Sequence, residues 1–172
     1  YYLAKEYPKA ADLAGRYLRD IGGDKSMFMI YAQSLYLSNN FAAAAKVIAA
    51  DVEAEERAGR SPPEDQLRLL ASAYTQQRES AGYARAMEKL VAYYPKRDYW
   101  LDIVSSIATR PGFAEKLAVE VARLKLETNT MRTTNEYLEA AQLVLQDGFP
   151  MEASKIIEQG YAAGLLGTGA DS

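Results

Sequence analysis

The sequence predicts an all-α chain of stacked helix-turn-helix units, and three observations predict it. One apolar spacing recurs four times on what would be the first helix of each unit. A second spacing, an aromatic followed by small and apolar residues, recurs five times on the second helix. Short stretches of Ser, Asn, Asp, Gly or Pro separate the two at helix-ending positions.

The first spacing is Phe28-x2-Tyr31-Ala32-x2-Leu35. It returns at Leu67, Leu70, Ala71 and Tyr74, at Trp100, Ile103, Val104 and Ile107, and at Tyr137, Ala140, Ala141 and Val144. Alanine holds the same offset in three of the four, and Val104 replaces it in the other. On the second helices, Tyr7, Ala10 and Ala14 match Phe41, Ala44 and Ile48, and then Tyr83, Ala86 and Leu90. Phe113, Leu117 and Val121 follow, and then Phe149, Ala153 and Ile157. The steps from Ala10 through Ala44, Ala86 and Leu117 to Ala153 are 34, 42, 31 and 36 residues.

Residues 1–6 read as the tail of a helix whose start is missing, so the chain reads as a fragment of a longer protein. Helices are predicted at 8–20, 25–38, 41–58, 63–78, 81–94, 99–109, 112–126, 134–147 and 150–163. Ser38, Asn39 and Asn40 end a helix, because their side chains bond nearby backbone and Asn tolerates the left-handed conformation. Phe41 then opens the run "FAAAA". Alanine is the best helix former and a small one, so the run lets two helices approach closely while Phe41 fills the space near their turn. The stretch "DVEAEERAGR" lengthens this helix, with Glu53 and Arg57 as an i,i+4 pair on a solvated extension. Ser61-Pro62-Pro63-Glu64 reads as a capping box with Pro at the first helical position, and Thr133-Thr134-Asn135-Glu136 has the same form. "QQRESAG" reads as an insertion in the third unit. Gly59, Gly148 and Gly164 stand where helices should stop, and the polar tail "GTGADS" should fray.

Composition narrows the chemistry. Of 172 residues, 49% are hydrophobic and 25% charged, enough for a sizeable core. There is no Cys and no His, which removes disulfides, thiol nucleophiles, and the commonest general base and metal ligand. Net charge is −3 with no basic cluster, which argues against phosphate-backbone binding. Lys46 interrupts the longest apolar candidate, so no membrane-spanning helix is expected. Glu53, Glu55 and Glu56 cluster, but successive helical positions point apart, and they read as a solvated acidic face. The glycine pairs of "IGGD" and "GTG" lack the rest of a phosphate loop. Tyr31, Tyr74, Trp100 and Tyr137 occupy core positions of the spacing, so they read as core rather than base-stacking platforms. At least one of Tyr93, Tyr94 and Tyr99 should be exposed. No catalytic residue, metal ligand or cofactor is assigned.

The two spacings together resemble the tetratricopeptide repeat (TPR) family, with Trp100 and its neighbours the closest match. The resemblance implies an α-solenoid, a right-handed superhelix of about four and a half repeats forming one domain. The repeats would be 1–24 (partial), 25–60, 61–97, 98–131 and 132–172. "LVAYYPKRDYW" and "GYAAGLLGTG" also resemble exported proteobacterial members, which implies a periplasmic location, with a cytoplasmic one as the alternative.

In such solenoids the first helices line a concave face that binds other proteins. By resemblance, that lining is Met29, Gln33, Tyr36 and Leu37, then Arg68, Ser72, Thr75 and Gln76. Further along it is Leu101, Ser105, Ala108 and Thr109, then Leu138, Gln142, Leu145 and Gln146. The lining is neutral and holds one Arg and no Lys, which suits a peptide or protein rather than nucleic acid. The expected function is a protein-binding scaffold or adaptor without catalysis. The alternative is a structural or self-associating module, a homo-oligomer included, within a larger cell-envelope protein.

Overall fold

The computed structural model describes residues 1–107 and 117–167. Among these it is all-helical, with nine helices and no strand. They fall into two compact units, Tyr1–Pro95 and Lys96–Ser172. The first contains α1 (Tyr7–Asp20), α2 (Lys25–Leu37), α3 (Phe41–Arg57), α4 (Glu64–Gln76) and α5 (Ser80–Tyr93). The second contains α6 (Arg97–Ile107), α7 (Ala118–Glu127), α8 (Thr134–Gln146) and α9 (Pro150–Ala162). Each helix packs mainly on its neighbours in sequence. The expected start of a helix at 112, with Phe113, lies outside the described residues.

In the first unit, the core is a seam of small residues flanked by larger ones. Ala32, Ala44, Ile48 and Leu67 have no measurable exposure, and Ala10, Ala14, Ala45 and Ala71 are buried beside them. The alanines bring the helices close, and Phe41 caps the seam. Its ring meets Tyr36 edge-to-face at 5.1 Å and 68° across the turn. Tyr2 and Tyr7 repeat the arrangement one hairpin earlier, at 5.9 Å and 68°.

The turns carry the repeat most plainly. Lys5, Asn39 and Arg78 all take positive φ, 59°, 62° and 57°, at steps of 34 and 39 residues. Each is followed by the same pair of bonds. Asn39 N–H donates to the Tyr36 carbonyl and Asn40 N–H to the Leu35 carbonyl, both at 2.9 Å. Arg78 and Glu79 do likewise to Thr75 and Tyr74, and Lys5 and Glu6 to Tyr2 and Tyr1. This is the Schellman closure, which satisfies carbonyls that a helix end leaves open. In the second unit Gly148, with φ 89°, closes α8 in the same way.

Several expectations need correction. "QQRESAG" holds no insertion, since Gln77-Arg78-Glu79 links α4 to α5 as Ser38-Asn39-Asn40 links α2 to α3. The longer step arises earlier, because α3 has 17 residues against 14 in α1 and a longer link follows it. Tyr83 therefore stands where Ala44 stands, and Ser80 occupies the place of Phe41. Ser61 does not cap α4; Pro63 is the cap residue and offers no side-chain bond, and the first-turn Gln66 N–H donates instead to Asp65 Oδ1 at 2.9 Å. Arg57 bonds the Glu53 backbone carbonyl at 3.2 Å rather than its carboxylate. Tyr31, Tyr74 and Trp100 are only half-buried, the rings of the first two lying against Gly15 and Gly82.

The second unit has its own core of Val119, Ala122, Met131, Tyr137, Ala140, Ala141, Val144, Ala153, Ile156 and Leu166. Thr133 caps α8, accepting the Glu136 N–H at 3.3 Å, while the Glu136 carboxylate accepts from the Arg132 N–H. The capping box is thus displaced by one residue. Arg123 grips Glu152 through two bonds of 2.7 and 2.8 Å, joining α7 to α9, and its guanidinium lies 5.1 Å from the Phe149 ring.

Candidate functional site

In the first unit the structure brings together part of the expected lining. The Tyr36 hydroxyl and Ser72 Oγ lie 2.7 Å apart, joining α2 to α4. One repeat earlier, the Tyr2 hydroxyl donates to Gln33 Oε1 at 2.7 Å. The two bonds are equivalent. Tyr2 and Tyr36 each stand three residues before the left-handed residue of their turn, and Gln33 and Ser72 each stand six before theirs. A tyrosine hydroxyl therefore stitches the turn before α1 to α2, and α2 to α4, along one face.

Sequence reasoning missed Tyr2, although its 34-residue offset from Tyr36 was a readable signal. Leu37, Arg68, Thr75 and Gln76 are exposed, and Met29, Gln33, Tyr36 and Ser72 are half-buried. Thr75 Oγ1 bonds its own helix at the Ala71 carbonyl, 3.0 Å away.

In the second unit Leu101 is half-buried, and Ser105 is exposed with its hydroxyl on the Leu101 carbonyl at 2.6 Å. Leu138, Gln142, Leu145 and Gln146 are exposed together on α8. Thr109, like Ala108, lies outside the described residues.

The acidic cluster is not a uniformly solvated face. Glu53 is exposed, but Glu55 is buried. Arg60 donates to both Glu55 oxygens, Nε at 2.7 Å and Nη2 at 3.0 Å, and Lys25 reaches the same carboxylate at 3.2 Å. The bonds from Arg60 hold the Glu55 carboxyl at about 2; burial opposes the shift and Lys25 adds to it. Glu56 pairs with Lys89 on α5 at 2.6 Å and accepts the Tyr93 hydroxyl at 3.1 Å. The reversal that makes this possible is Gly59, with φ 70°, which turns Arg60 back over the end of α3.

Beside this ion cluster lies a cleft of about 280 Å³. Leu18, Phe28, Met29 and Pro63 supply its apolar wall, and Asp24, Lys25, Asp51, Glu55, Arg60 and Gln66 its polar one. Gln66 is buried, and its Nε2 donates to Asp51 Oδ2 at 2.6 Å. Neither Asp51 nor Gln66 was singled out from the sequence. They belong to different helices, α3 and α4, and no local spacing joins them.

Among the described residues no group of three or more acidic side chains is placed to hold a metal ion, and no helix is long and apolar enough to cross a membrane. No protein-family model matches the chain, and no curated protein matches it.

Proposed function

We propose that the chain is a tetratricopeptide-like module that binds an extended segment of a partner protein on its first-helix face and carries out no catalysis. The observation that supports this best is the shared face of Gln33, Tyr36 and Ser72, stitched across successive helices. A face held rigid in this way loses little entropy on binding. Around it, exposed Leu37, Arg68, Thr75 and Gln76 offer apolar area, a charge, and donors and acceptors for a peptide backbone. Right-handed stacking of the repeats and a periplasmic location form part of the same proposal. Both rest on the family resemblance.

The test begins with capture of partners by the full-length protein and their identification by mass spectrometry. Calorimetry follows with Leu37→Ala combined with Gln76→Ala. Both residues are exposed, so the melting temperature should hold while affinity falls. Unchanged affinity would move the site off this face.

A second reading is self-association, favoured by the second unit. There Leu138, Leu145, Phe149 and Met151 are exposed at 47%, 55%, 48% and 75%. Sedimentation of the wild type and of Leu145→Ser with Met151→Ser separates the two. A dimer lost in the double variant supports association.

A further inference from the structure

We infer that the cleft between α2, α3 and α4 is a binding site for a primary alkylammonium group. That chemistry is shared by a lysine side chain and a free diamine. The inference does not rest on the peptide-binding proposal, because of the side chains assigned to that face the cleft shares Met29 alone.

The assignment follows from charge. Three carboxylates and two cations line the cleft. Both cations are committed to Glu55, which Arg60 holds with two bonds and Lys25 with a third. Asp24 is occupied at the start of α2, where Oδ1 accepts the Met27 N–H at 2.9 Å and Oδ2 the Tyr17 hydroxyl at 3.5 Å. A carboxylate there also complements the helix dipole.

Asp51 remains. Among the described residues it has no ion pair, and its bonded partner is the neutral amide of Gln66. Arg60 senses Asp51 through space but spends its hydrogen bonds on Glu55. Gln66, buried at 2% exposure, occupies Oδ2 and leaves Oδ1 without a partner. A half-buried carboxylate held in place by a buried amide and lacking a cation is suited to receive one.

The rest of the cleft sets the kind of cation. Leu18, Phe28, Met29 and Pro63 offer apolar surface to an aliphatic stem. A volume of about 280 Å³ suits a short methylene chain with one charged end. It sits at the lower limit of small-molecule sites, about 300 Å³.

The experiment uses ¹H–¹⁵N spectra of the whole chain, titrated separately with three probes. They are Nα-acetyl-lysine-methylamide, 1,5-diaminopentane and pentanoate. Saturable shifts of the Met29, Asp51 and Gln66 amides are expected with the two ammonium probes and none with pentanoate. Tighter binding of the lysine derivative assigns the site to a protein side chain, and tighter binding of the diamine assigns it to a free amine.

Asp51→Asn keeps an acceptor for Gln66 and should weaken both ammonium probes by about tenfold or more, since a charged hydrogen bond is lost. An unchanged melting curve checks that the variant is folded. Saturable binding of pentanoate instead, shifts that never saturate, or undiminished affinity in Asp51→Asn would overturn the assignment. No partner protein is involved, so either result leaves the first-helix face to be judged separately.

Discussion

The ring of Tyr74 lies directly over Gly82, so closely that a Cβ on that glycine would meet two ring carbons at 2.6 Å. Tyr31 over Gly15 repeats the arrangement with more room, the nearest ring atom being 3.1 Å away; Tyr137 stands at the same distance over Gly160, where Leu166 crowds closer at 2.5 Å. Gly82 is helical and buried, and there its missing side chain is what matters. Gly82→Ala should therefore destabilise the protein, although Ala is the better helix former by about 1 kcal/mol. Overpacking costs about 1–3 kcal/mol, so the net loss should be up to about 2 kcal/mol by chemical denaturation. Gly15→Ala, facing the edge of one ring, should cost less. A more stable Gly82→Ala would mean that the Tyr74 ring and the Glu79 carboxylate, which stands closer still, both move aside freely.

The left-handed turn residues predict opposite effects of glycine at equivalent positions. Arg78 holds φ 57° with a side chain that disfavours it. Arg78→Gly relieves about 1–2 kcal/mol of strain against about 0.5–1 kcal/mol of added chain entropy, so the protein should gain up to about 1.5 kcal/mol. Gly148→Ala, at φ 89°, should lose about 1 kcal/mol or more. Thermal melts of both variants check the pair.

Ser34 is buried with no exposure, and among the described residues its Oγ has no hydrogen-bond partner. An unmade buried bond costs about 1–3 kcal/mol. Ser34→Ala should therefore raise stability by about 1 kcal/mol, or about 2–4 °C in melting temperature for a chain of this size. A lower melting temperature would reveal a partner for the hydroxyl.

Glu55 gives the protein a specific weakness to acid. Its carboxyl is depressed in the folded state from 4.5 to about 2. A depressed carboxylate contributes stability that is present above its unfolded value and lost as pH falls through its folded value. Stability should thus decline between about pH 4.5 and 2 as Glu55 takes up a proton. Glu55→Gln should be less stable at neutral pH, because Arg60 and Lys25 lose their shared anion. Denaturation midpoints through this range should fall less steeply in Glu55→Gln than in the wild type.

Parallel midpoints would show that other carboxylates govern the acid transition. Glu152, held down by Arg123, and Glu136, where Lys125 and two backbone N–H groups outweigh burial, are the next candidates.

Affinity for a peptide on the first-helix face should change little between low and moderate salt. Arg68 is the lone charge among the first-unit residues assigned there, and screening acts on charges. A steep fall with salt would place the partner elsewhere, for example on the charged residues of the cleft.

What was legible in the sequence follows from the range of the forces involved. The buried positions of Ala32, Ala71 and Ala141, and the left-handed Asn39, came from helical spacing and local backbone chemistry. Both act within a few residues. The register of α5 did not, because the added length of α3 is absorbed where that helix ends. Aligning Phe41 with Tyr83 matched residue types across a shift that only the turns reveal.

Glu55 was misread for a related reason. Spacing along the helix correctly separated it from Glu53 and Glu56, but its partner lies beyond the helix end and is returned by the conformation of Gly59. Asp51 and Gln66 meet between two helices, where sequence alone carries little signal.

The neighbour-to-neighbour packing has a kinetic consequence. In the first unit each hairpin closes through its own three-residue turn, and the first two turns are 34 residues apart. Little of that unit waits on a segment from far along the chain, so loop closure is a small part of the folding barrier. During synthesis α1 can dock as soon as α2 has emerged, and α3 on the pair thereafter. The nascent unit would grow in the order in which it is made, with only its newest helix face open to solvent.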